Sequence, residues 1–389
     1  MKWKKTKQVP LQGLAVELSE PVLVKRSRWN CWFPSLIRQP DGTLWAVMQA
    51  YGDIHVSSSF YYLSRSRDGG LTWEEPCVIG SAGLNHLLLA DGSAVVIPYH
   101  LQLRPGGAIG APCNVLSPQG EMSVRPSGVT VTGWPRPLEP LSPDYLDTAG
   151  FVFNGQTVRG QRGEYLTTLY GHFEGDRRYS LVFAESADGF AWRIRSVIAG
   201  ADCPLDGVEG PCESALCRLA DGALAGSGQG RLMCVFRSCS FVPYGQTWSG
   251  DDGRTWTKPT AMTASSVEPS LQVMSGGVIA LSGGRPGISV WFSADGDGTS
   301  WQAVDVVVHH NACRPHDAIN PDSTKAWIAR DEMIRQGLGG FTSSYTELMR
   351  VDDRHLLLIY DRLGLGWHPI PDESDATNSV WVIQITVDK

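Results

Sequence analysis

The sequence predicts an all-β fold, a six-bladed β-propeller of four-stranded antiparallel blades, from its composition and from two repeated turns. The 389 residues include 43 Gly, 24 Pro and 14 Trp, while only 19% are charged. Gly and Pro at this level exceed average usage and interrupt regular elements often, which excludes a mostly helical chain. Hydrophobic residues still make up 42% of the chain, which predicts a globular protein and not a disordered one.

The first repeat is a short turn in which Asp and Gly are followed by Trp. Residues 66–73 read SRDGGLTW and residues 249–256 read SGDDGRTW, and shorter copies lie at residues 186–192 and 293–301. In each copy we expect the Asp carboxylate to accept backbone N–H bonds, the Gly to supply a positive φ and the Trp to pack under the next strand. These aspartates are therefore predicted to be structural and not catalytic.

The second repeat is an Asp-Gly or similar pair between two apolar runs, which is typical of a β-hairpin. It occurs at Asp41-Gly42, Asp91-Gly92, Asp221-Gly222, Gly276-Gly277 and Asp352-Asp353. With a further strand at residues 165–170, the two repeats predict six blades at residues 31–79, 82–130, 148–198, 210–264, 267–308 and 341–387. Residues 13–25 are expected to add a strand that closes the ring, residues 131–147 to form a surface connection, and residues 309–340 to be an insertion with a short helix at 327–336. Residues 1–389 are thus expected to form a single domain.

The charge and the termini restrict partners and location. A net charge of −7 argues against nucleic acid as a partner, because phosphate binding needs a basic face. No window approaches ~18 uninterrupted apolar residues, so no transmembrane helix and no membrane partner are expected. The basic start of the chain is followed by residues 8–12, QVPLQ, where a signal peptide would have an apolar core. This predicts a cytoplasmic protein as the sequence stands, or a secreted or periplasmic one if a leader has been removed.

The nine cysteines form no CxxC pair and show no zinc-ligand spacing, so buried thiols in a reducing compartment are expected. His309, His310 and His316 also lack the spacing of a metal site. Neither a metal nor a cofactor is predicted. The oligomeric state is left open.

The turn pattern S-x-D-x-G-x-T-W resembles the Asp-box, or BNR repeat, of the sialidase-like (neuraminidase) superfamily, across nearly the whole chain. The resemblance implies Asp-box turns in a β-propeller and an exo-acting glycoside hydrolase that cleaves a terminal, acidic sugar from a glycan, not necessarily sialic acid. Asp-box propellers also include lyases and binding modules, so the repeat is more specific for fold than for function.

The repeat also gives a register for candidate site residues. Counting eight residues back from the turns at Asp41, Asp221, Gly276 and Asp353 reaches Phe33, Glu213, Glu268 and Tyr345, respectively. These positions are at the start of innermost strands, where propellers bind ligands. The resemblance implies Tyr345 as nucleophile, Glu213 as its base and Asp53 as acid/base. A phenol with a pKa of ~10 needs a neighbouring carboxylate before it can attack, and a neutral Tyr brings no second negative charge to an anionic sugar.

The sequence departs from the sialidase pattern at the first of three arginines that hold the substrate carboxylate. Residues 31–36 read CWFPSL, with Trp32 where sialidases have Arg. Arg285 matches the third arginine, and Arg231 or Arg237 is the candidate for the second. Trp32 suits stacking on a sugar, so a neutral sugar or a uronic acid is the expected alternative substrate. Further substrate contacts are expected from Glu268, as a second carboxylate, and from Arg362.

Two other functions stay open. One is a uronate-directed polysaccharide lyase, in which a neutral His or Tyr removes a proton while Arg or His neutralises the carboxylate. Its candidates are His86, His100 at the end of the second strand of blade two, and Tyr170 and His172 in blade three. The other is a non-catalytic glycan-binding protein.

Overall fold

The computed structural model describes residues 2–52, 60–80, 85–139, 148–219, 230–265 and 267–389. The chain divides into two compact units: the first comprises Met1–Ala82 with Ser270–Lys389, and the second comprises Gly83–Pro269. No helix in the described ranges is long and apolar enough to cross a membrane.

The described residues form 28 strands and two α-helices, numbered in chain order. The first seven strands are β1 (Lys5–Leu11), β2 (Leu14–Ser19), β3 (Val22–Ser27), β4 (Trp32–Arg38), β5 (Leu44–Gln49), β6 (Tyr61–Ser66) and β7 (Cys77–Ile79). The next seven are β8 (His86–Leu88), β9 (Ala94–Val96), β10 (His100–Leu103), β11 (Ile109–Leu116), β12 (Met122–Thr132), β13 (Thr148–Phe153) and β14 (Val158–Arg159). They are followed by β15 (Tyr165–Gly171), β16 (Ser180–Ser186), β17 (Ala191–Ala199), β18 (Ser214–Arg218), β19 (Leu232–Phe236), β20 (Pro243–Ser249) and β21 (Thr260–Ser265). The last elements are β22 (Val267–Val273), β23 (Ile279–Gly284), β24 (Ile288–Ser293), β25 (Gln302–Asp305), α1 (Val306–Cys313), α2 (Arg330–Arg335), β26 (Thr346–Arg350), β27 (His355–Arg362) and β28 (Asn378–Asp388).

In the first unit, a six-stranded sheet packs against two four-stranded sheets. The six-stranded sheet has the order β1-β2-β28-β27-β26, with β3 also paired to β28, and the others are β4–β7 and β22–β25. Residues 267–269, at the start of β22, belong to the second unit. Along β27, Leu356 and Leu358 pack in one hydrophobic cluster with β24 residues, while Leu357 and Ile359 pack in another with β4 and β5 residues. Successive strand side chains point to opposite faces, so the apolar run of β27 fills two cores.

The second unit contains one four-stranded sheet, β18–β21, and one ten-stranded sheet. Within the larger sheet, the strands β10, β13, β15, β16, β17, β12 and β11 are each hydrogen-bonded to the next, and β11 pairs back to β10, which closes a ring of seven. One buried cluster takes a residue from every strand of the ring: Leu101, Ile109, Val131, Phe151, Leu169, Val182 and Ile194.

The prediction of six four-stranded antiparallel blades is wrong, although the all-β class is correct. The described strands form five sheets, of which three have four strands, one has six and one has ten. The regions predicted as blades two and three merge because β12 is 11 residues long and its end pairs in parallel with β17, from Thr130 opposite Ala191 to Thr132 opposite Arg193. On the other side, the short strand β10 joins β11 to β13.

The predicted turn chemistry of the first repeat is confirmed. Asp68 accepts the backbone N–H of Thr72 at 2.9 Å and its hydroxyl at 2.7 Å, and Asp251 makes the same two contacts with Thr255 at 2.8 and 2.7 Å. The indole N–H of Trp73 donates to the carbonyl of Gly70, whose φ is +94°. The carboxylates are thus occupied by their own turns, as expected for structural aspartates.

The segment predicted as an insertion, residues 309–340, contains helix α2 and the end of helix α1. Helix α2 lies within the predicted helix at 327–336, which is confirmed, and its Met333 is buried against Phe341 and Leu365. Helix α1 was not predicted; it begins at Val306, and Asp305 caps it by accepting the Val308 N–H. Residues 13–25, predicted as one extra strand, contain β2 and the first four residues of β3, and both strands pair with β28.

Candidate functional site

The second unit holds a cluster of charged side chains, the carboxylate cluster, formed by Glu209, Glu213 and Arg237 with the backbone of Glu268. Glu213 immediately precedes β18, and the pairing of β18 with β19 sets it opposite Arg237, whose N–H donates to the Glu213 carbonyl at 2.9 Å. Arg237 Nη1 donates to Glu213 Oε1 at 2.7 Å, and the Glu268 N–H donates to Oε2 at 2.9 Å. Glu213 is only 6% exposed, and a buried carboxylate is tolerable when it is paired and hydrogen-bonded in this way.

Arg237 joins two glutamates. Its Nη2 lies 3.0 Å from a carboxylate oxygen of Glu209 and donates to Ser240 Oγ at 3.3 Å. The Arg237 side chain is 11% exposed and that of Glu209 is 34% exposed. The guanidinium therefore fixes the position of the buried Glu213 while its second carboxylate partner faces solvent.

The thiol of Cys212 touches this cluster, 4.0 Å from Glu209 Oε2. Burial, with the charge of Glu213 added to it, raises the pKa of Cys212 well above its ordinary value. A thiol kept protonated is a poor nucleophile, so the chemistry of the cluster rests on its carboxylates.

Five rings in the same unit form a continuous series, the ring arc, of His100, Tyr99, Tyr170, Tyr179 and His172. The centroids of His100 and Tyr99 are 4.8 Å apart, the hydroxyls of Tyr99 and Tyr170 are hydrogen-bonded, and Tyr179 lies 5.0 Å from Tyr170 and 4.5 Å from His172. Strand pairing builds the arc, because His100 lies opposite Val152 on β13 and Val152 lies opposite Tyr170 on β15.

Two tyrosines of the ring arc, Tyr99 and Tyr170, are protonated groups beside the charge of Glu213. Burial raises the pKa of Tyr99 and of Tyr170 well above the ordinary 10, and the charge of Glu213 contributes to both shifts. At neutral pH both phenols keep their proton, and one O–H donates to the other hydroxyl. The pair therefore retains one O–H donor for a sugar hydroxyl or a ring oxygen.

The first unit holds a different group, the aromatic cluster, made of Trp32, Phe33, Trp327, Tyr345 and Trp367 around Arg285. Phe33 meets Tyr345 edge to face at 4.6 Å, and Trp327 stacks on Trp367 at 5.3 Å. The Arg285 guanidinium lies 4.8 Å from the Trp327 ring centroid and 5.8 Å from that of Tyr345, within the range of cation–π attraction. Arg285 is 4% exposed and donates to the Ser343 carbonyl at 3.0 Å.

Trp32 is part of the packing in this cluster. It is 2% exposed, stacks on Phe33 at 4.6 Å and meets Trp367 edge-on at 4.9 Å. Its indole N–H donates to the Tyr51 carbonyl at 2.8 Å. The ring is therefore covered by protein on the faces where sugar stacking was expected.

Several residues in or beside the carboxylate cluster and the aromatic cluster have unusual backbone angles. Positive φ is found at Phe33 (+45°), Glu268 (+35°), Ser344 (+70°) and Arg285 (+75°). For residues with a Cβ this conformation costs about 1–3 kcal/mol each and persists where the surroundings enforce it, often at functional sites.

The remaining predicted site residues are spread over the two units. Arg231 precedes β19 whereas Arg237 follows it, so the two lie about 20 Å apart at ~3.3 Å per residue, and only Arg237 contacts Glu213. Arg362 donates to the carbonyls of Ala318 and Thr377 at 3.1 and 3.2 Å, where it holds two loops. Asp53 lies outside the described residues.

The predicted histidines differ in surroundings. His100 begins β10 and does not end the second strand of its hairpin as predicted, and His86 begins β8. His310 in α1 bonds the Tyr360 hydroxyl at 2.8 Å, and burial lowers its pKa to about 4, so it is neutral at pH 7. No group of three metal-binding side chains occurs in the described ranges.

Sequence reasoning missed three residues of the second unit: Tyr99, Tyr179 and Glu209. Tyr99 is the sequence neighbour of the predicted His100, and this adjacency could have identified it. Tyr179 and Glu209 precede β16 and β18 in connecting segments that carry no repeat, so the register could not reach them.

Comparison with known proteins is informative only for the fold. No protein-family model matches the sequence, and no curated protein matches it. Among solved structures, a protein of unknown function from Dyadobacter fermentans DSM 18053 has a TM-score of 0.66 at 15% identity, over 96% of this chain and 99% of that one. A Hadza microbial sialidase, Hz136, has a TM-score of 0.56 at 14% identity, over 90% of this chain and 65% of its own.

An alpha-L-arabinanase of Penicillium chrysogenum, solved with arabinobiose, has a TM-score of 0.56 at 12% identity, over 94% of this chain and 98% of that one. At these identities the likeness establishes a shared fold.

Proposed function

We propose that this protein is a carbohydrate-active enzyme, a glycoside hydrolase that removes a terminal sugar from a glycan. The observation that carries the proposal is the setting of Glu213: a buried carboxylate with one oxygen on Arg237 and the other on the Glu268 N–H. Protonated phenols in the same unit complete a site for a polyhydroxylated ligand. The proteins of similar fold named as a sialidase and an arabinanase support sugar chemistry as the class.

Glu213 acts as the base of the reaction. Hydrolysis of a glycoside forms a bond from an attacking oxygen to the anomeric carbon and breaks the bond to the leaving oxygen, through a transition state with positive charge on the sugar ring. A carboxylate held in place accepts the proton of the attacking group and stabilises this positive charge without reorganising. The leaving oxygen takes a proton from an acid.

The partners of Glu213 in this scheme come from the resemblance to sialidases. It assigns the attack to Tyr345, in the first unit, and the acid role to Asp53. Both assignments stay predictions. A terminal sugar that carries an acidic group is the preferred substrate, with Arg285 as the candidate for its carboxylate.

Replacement of Glu213 by Gln tests the proposal. Gln keeps the shape but loses the negative charge, so we expect kcat on a panel of aryl glycosides and glycans to fall at least ~10³-fold, with KM changed less than ~3-fold. Glu209→Gln is the matched control, because Glu209 also contacts Arg237 but is more exposed, and it should retain activity within ~10-fold. If Glu213→Gln retained more than a tenth of wild-type kcat, Glu213 would not be the base of the reaction.

A second candidate function, the uronate-directed lyase, is favoured by one observation, the ring arc. It brings His100, Tyr170 and His172 into one series of contacts, and neutral His or Tyr is the base that such an elimination needs. The same assay separates the two functions, because elimination leaves an unsaturated uronate that absorbs in the near ultraviolet and hydrolysis does not.

A further inference from the structure

A pocket lined mainly by arginines lies in the second unit, away from the ring arc. Its volume is about 320 Å³, and it is lined by Arg162, Glu185, Arg193, Ile194, Arg195 and Arg254. We call it the arginine pocket. Four guanidinium groups and one carboxylate line the pocket, so the lining itself carries a net positive charge.

The arginine pocket is at the opposite end of the strands from the ring arc. Tyr170 lies near the end of β15, whereas Arg162 and Glu164 precede its first residue, Tyr165. Six residues at ~3.3 Å per residue separate Glu164 from Tyr170, which is about 20 Å. A ligand in this pocket therefore does not occupy the site built around Glu213.

The inner part of the pocket is an ion-pair network around Arg195, whose side chain is 8% exposed. Arg195 is paired with Glu185 and with Asp252, the latter at 3.2 Å, and Arg162 lies 3.2 Å from Glu164 and 3.5 Å from Glu185. These carboxylates are already engaged by Arg162 and Arg195. The network holds the guanidinium of Arg195 rigidly at the bottom of the pocket.

The outer part of the pocket is not neutralised. Arg193 and Arg254 are both exposed, and within the described residues neither has a carboxylate within 4.0 Å. Arg254 donates to the Asp251 carbonyl at 2.9 Å, which orients its side chain. Two exposed guanidinium groups over a rigid third offer paired N–H donors of the kind that bind oxyanions.

We propose that the arginine pocket binds an oxyanion, the sulfate or phosphate ester of a sugar or the free anion. Guanidinium groups bind such tetrahedral oxyanions through parallel N–H bonds. The volume of about 320 Å³ is at the lower limit of ligand pockets, ~300 Å³, which is room for one sugar ring with its anionic group. This site is independent of the hydrolase proposal.

Isothermal titration calorimetry at low salt tests the site with three probes: glucose 6-sulfate, glucose 6-phosphate and inorganic sulfate. We expect wild-type protein to bind at least one of the sugar esters with a Kd below ~1 mM, and Arg193→Gln/Arg254→Gln to weaken binding at least ~10-fold. Glu185→Gln should strengthen binding, because it removes the negative charge from the lining. Inorganic sulfate binding as tightly as the esters would identify the free anion as the ligand.

The control has the same change in net charge. Arg67→Gln/Arg177→Gln removes two exposed arginines elsewhere and should bind like wild type. Thermal unfolding of every variant checks that the fold is kept. The proposal is overturned if wild-type protein binds none of the probes at ~10 mM or if the two double variants weaken binding equally.

Discussion

Phe33 and Tyr345 in the first unit, and Glu213 and Glu268 in the second, stand at comparable places, at or just before the start of an edge strand of a sheet. In the first unit these positions carry rings, which pack with three tryptophans around the buried Arg285. In the second unit they carry carboxyl groups, one of which is locked by Arg237. The repeated backbone fixes the position of the Cα atom at these places, whereas the chemical character of each place depends on which residue occupies it.

The largest expected effect tests whether Tyr345 of the aromatic cluster takes part in the reaction. If Tyr345 is the nucleophile, Tyr345→Phe removes the attacking oxygen, so turnover should fall at least ~10³-fold, about 4 kcal/mol in the barrier. The free energy of unfolding should change by less than about 1 kcal/mol, since the ring is kept. Tyr61→Phe, which loses a hydroxyl contact to Tyr51 at 3.0 Å in the same unit, is the control and should retain turnover. Full activity of Tyr345→Phe would limit Tyr345 to a packing role.

The next effect measures how far the aromatic cluster stabilises the fold. Trp32 is 2% exposed, so Trp32→Ala leaves a large cavity and should lower the free energy of unfolding by about 4 kcal/mol. Trp327 belongs to the same cluster but is 40% exposed, and Trp327→Ala should cost only about 1 kcal/mol. Urea denaturation of both variants gives the comparison. Equal losses would mean that burial does not distinguish the two rings.

The smallest effect concerns the turns, where the two units should behave alike. Burial raises the pKa of Asp251 in the second unit and of Asp295 in the first, but hydrogen bonds from Thr255 and Ser249, and from Ser293 and the Asp297 N–H, outweigh it and lower both to about 2.

A lowered carboxyl pKa stabilises the folded state above the unfolded value of about 4, and this stability is lost as the pH falls through about 2. Because these turns are largely solvent-exposed, we expect only about 1 kcal/mol from each. Asp251→Asn and Asp295→Asn should therefore each destabilise at pH ~6 by about this amount, and the difference from wild type should shrink between about pH 4 and pH 2. Urea denaturation across this range measures it, with exposed Asp206→Asn as the control. A loss in one unit only would show that the two turns are not equivalent.

Local patterns in the sequence were sufficient to predict the turns and the places where strands start. The Asp and Gly contacts of residues 66–73 are all within eight residues, so the sequence pattern contains them. The merging of sheets depends on partners far apart in sequence, such as Thr130 with Ala191, and no local pattern encodes such a pairing.

The candidate site was likewise predictable where its residues lie beside a repeat, and not where it depends on distant partners. The register reached Glu213 because it precedes a repeated hairpin, and Arg237 was one of two arginines that flank the facing strand. The burial of Trp32 depends on Trp367, 335 positions further along the chain, and the ring arc depends on the pairing of three strands. The sequence therefore identified several residues of these clusters, but it did not show which residues contact one another.

The closed ring of seven strands in the second unit has a consequence for how this unit opens. Each strand of the ring is hydrogen-bonded along both sides, so no member can peel away as an edge strand does without breaking two ladders. Amide hydrogens of its long strands, such as β15 and β16, should exchange with solvent only through cooperative unfolding of the whole ring. The ring is thereby a rigid support for the ring arc, whose members extend from its strand ends.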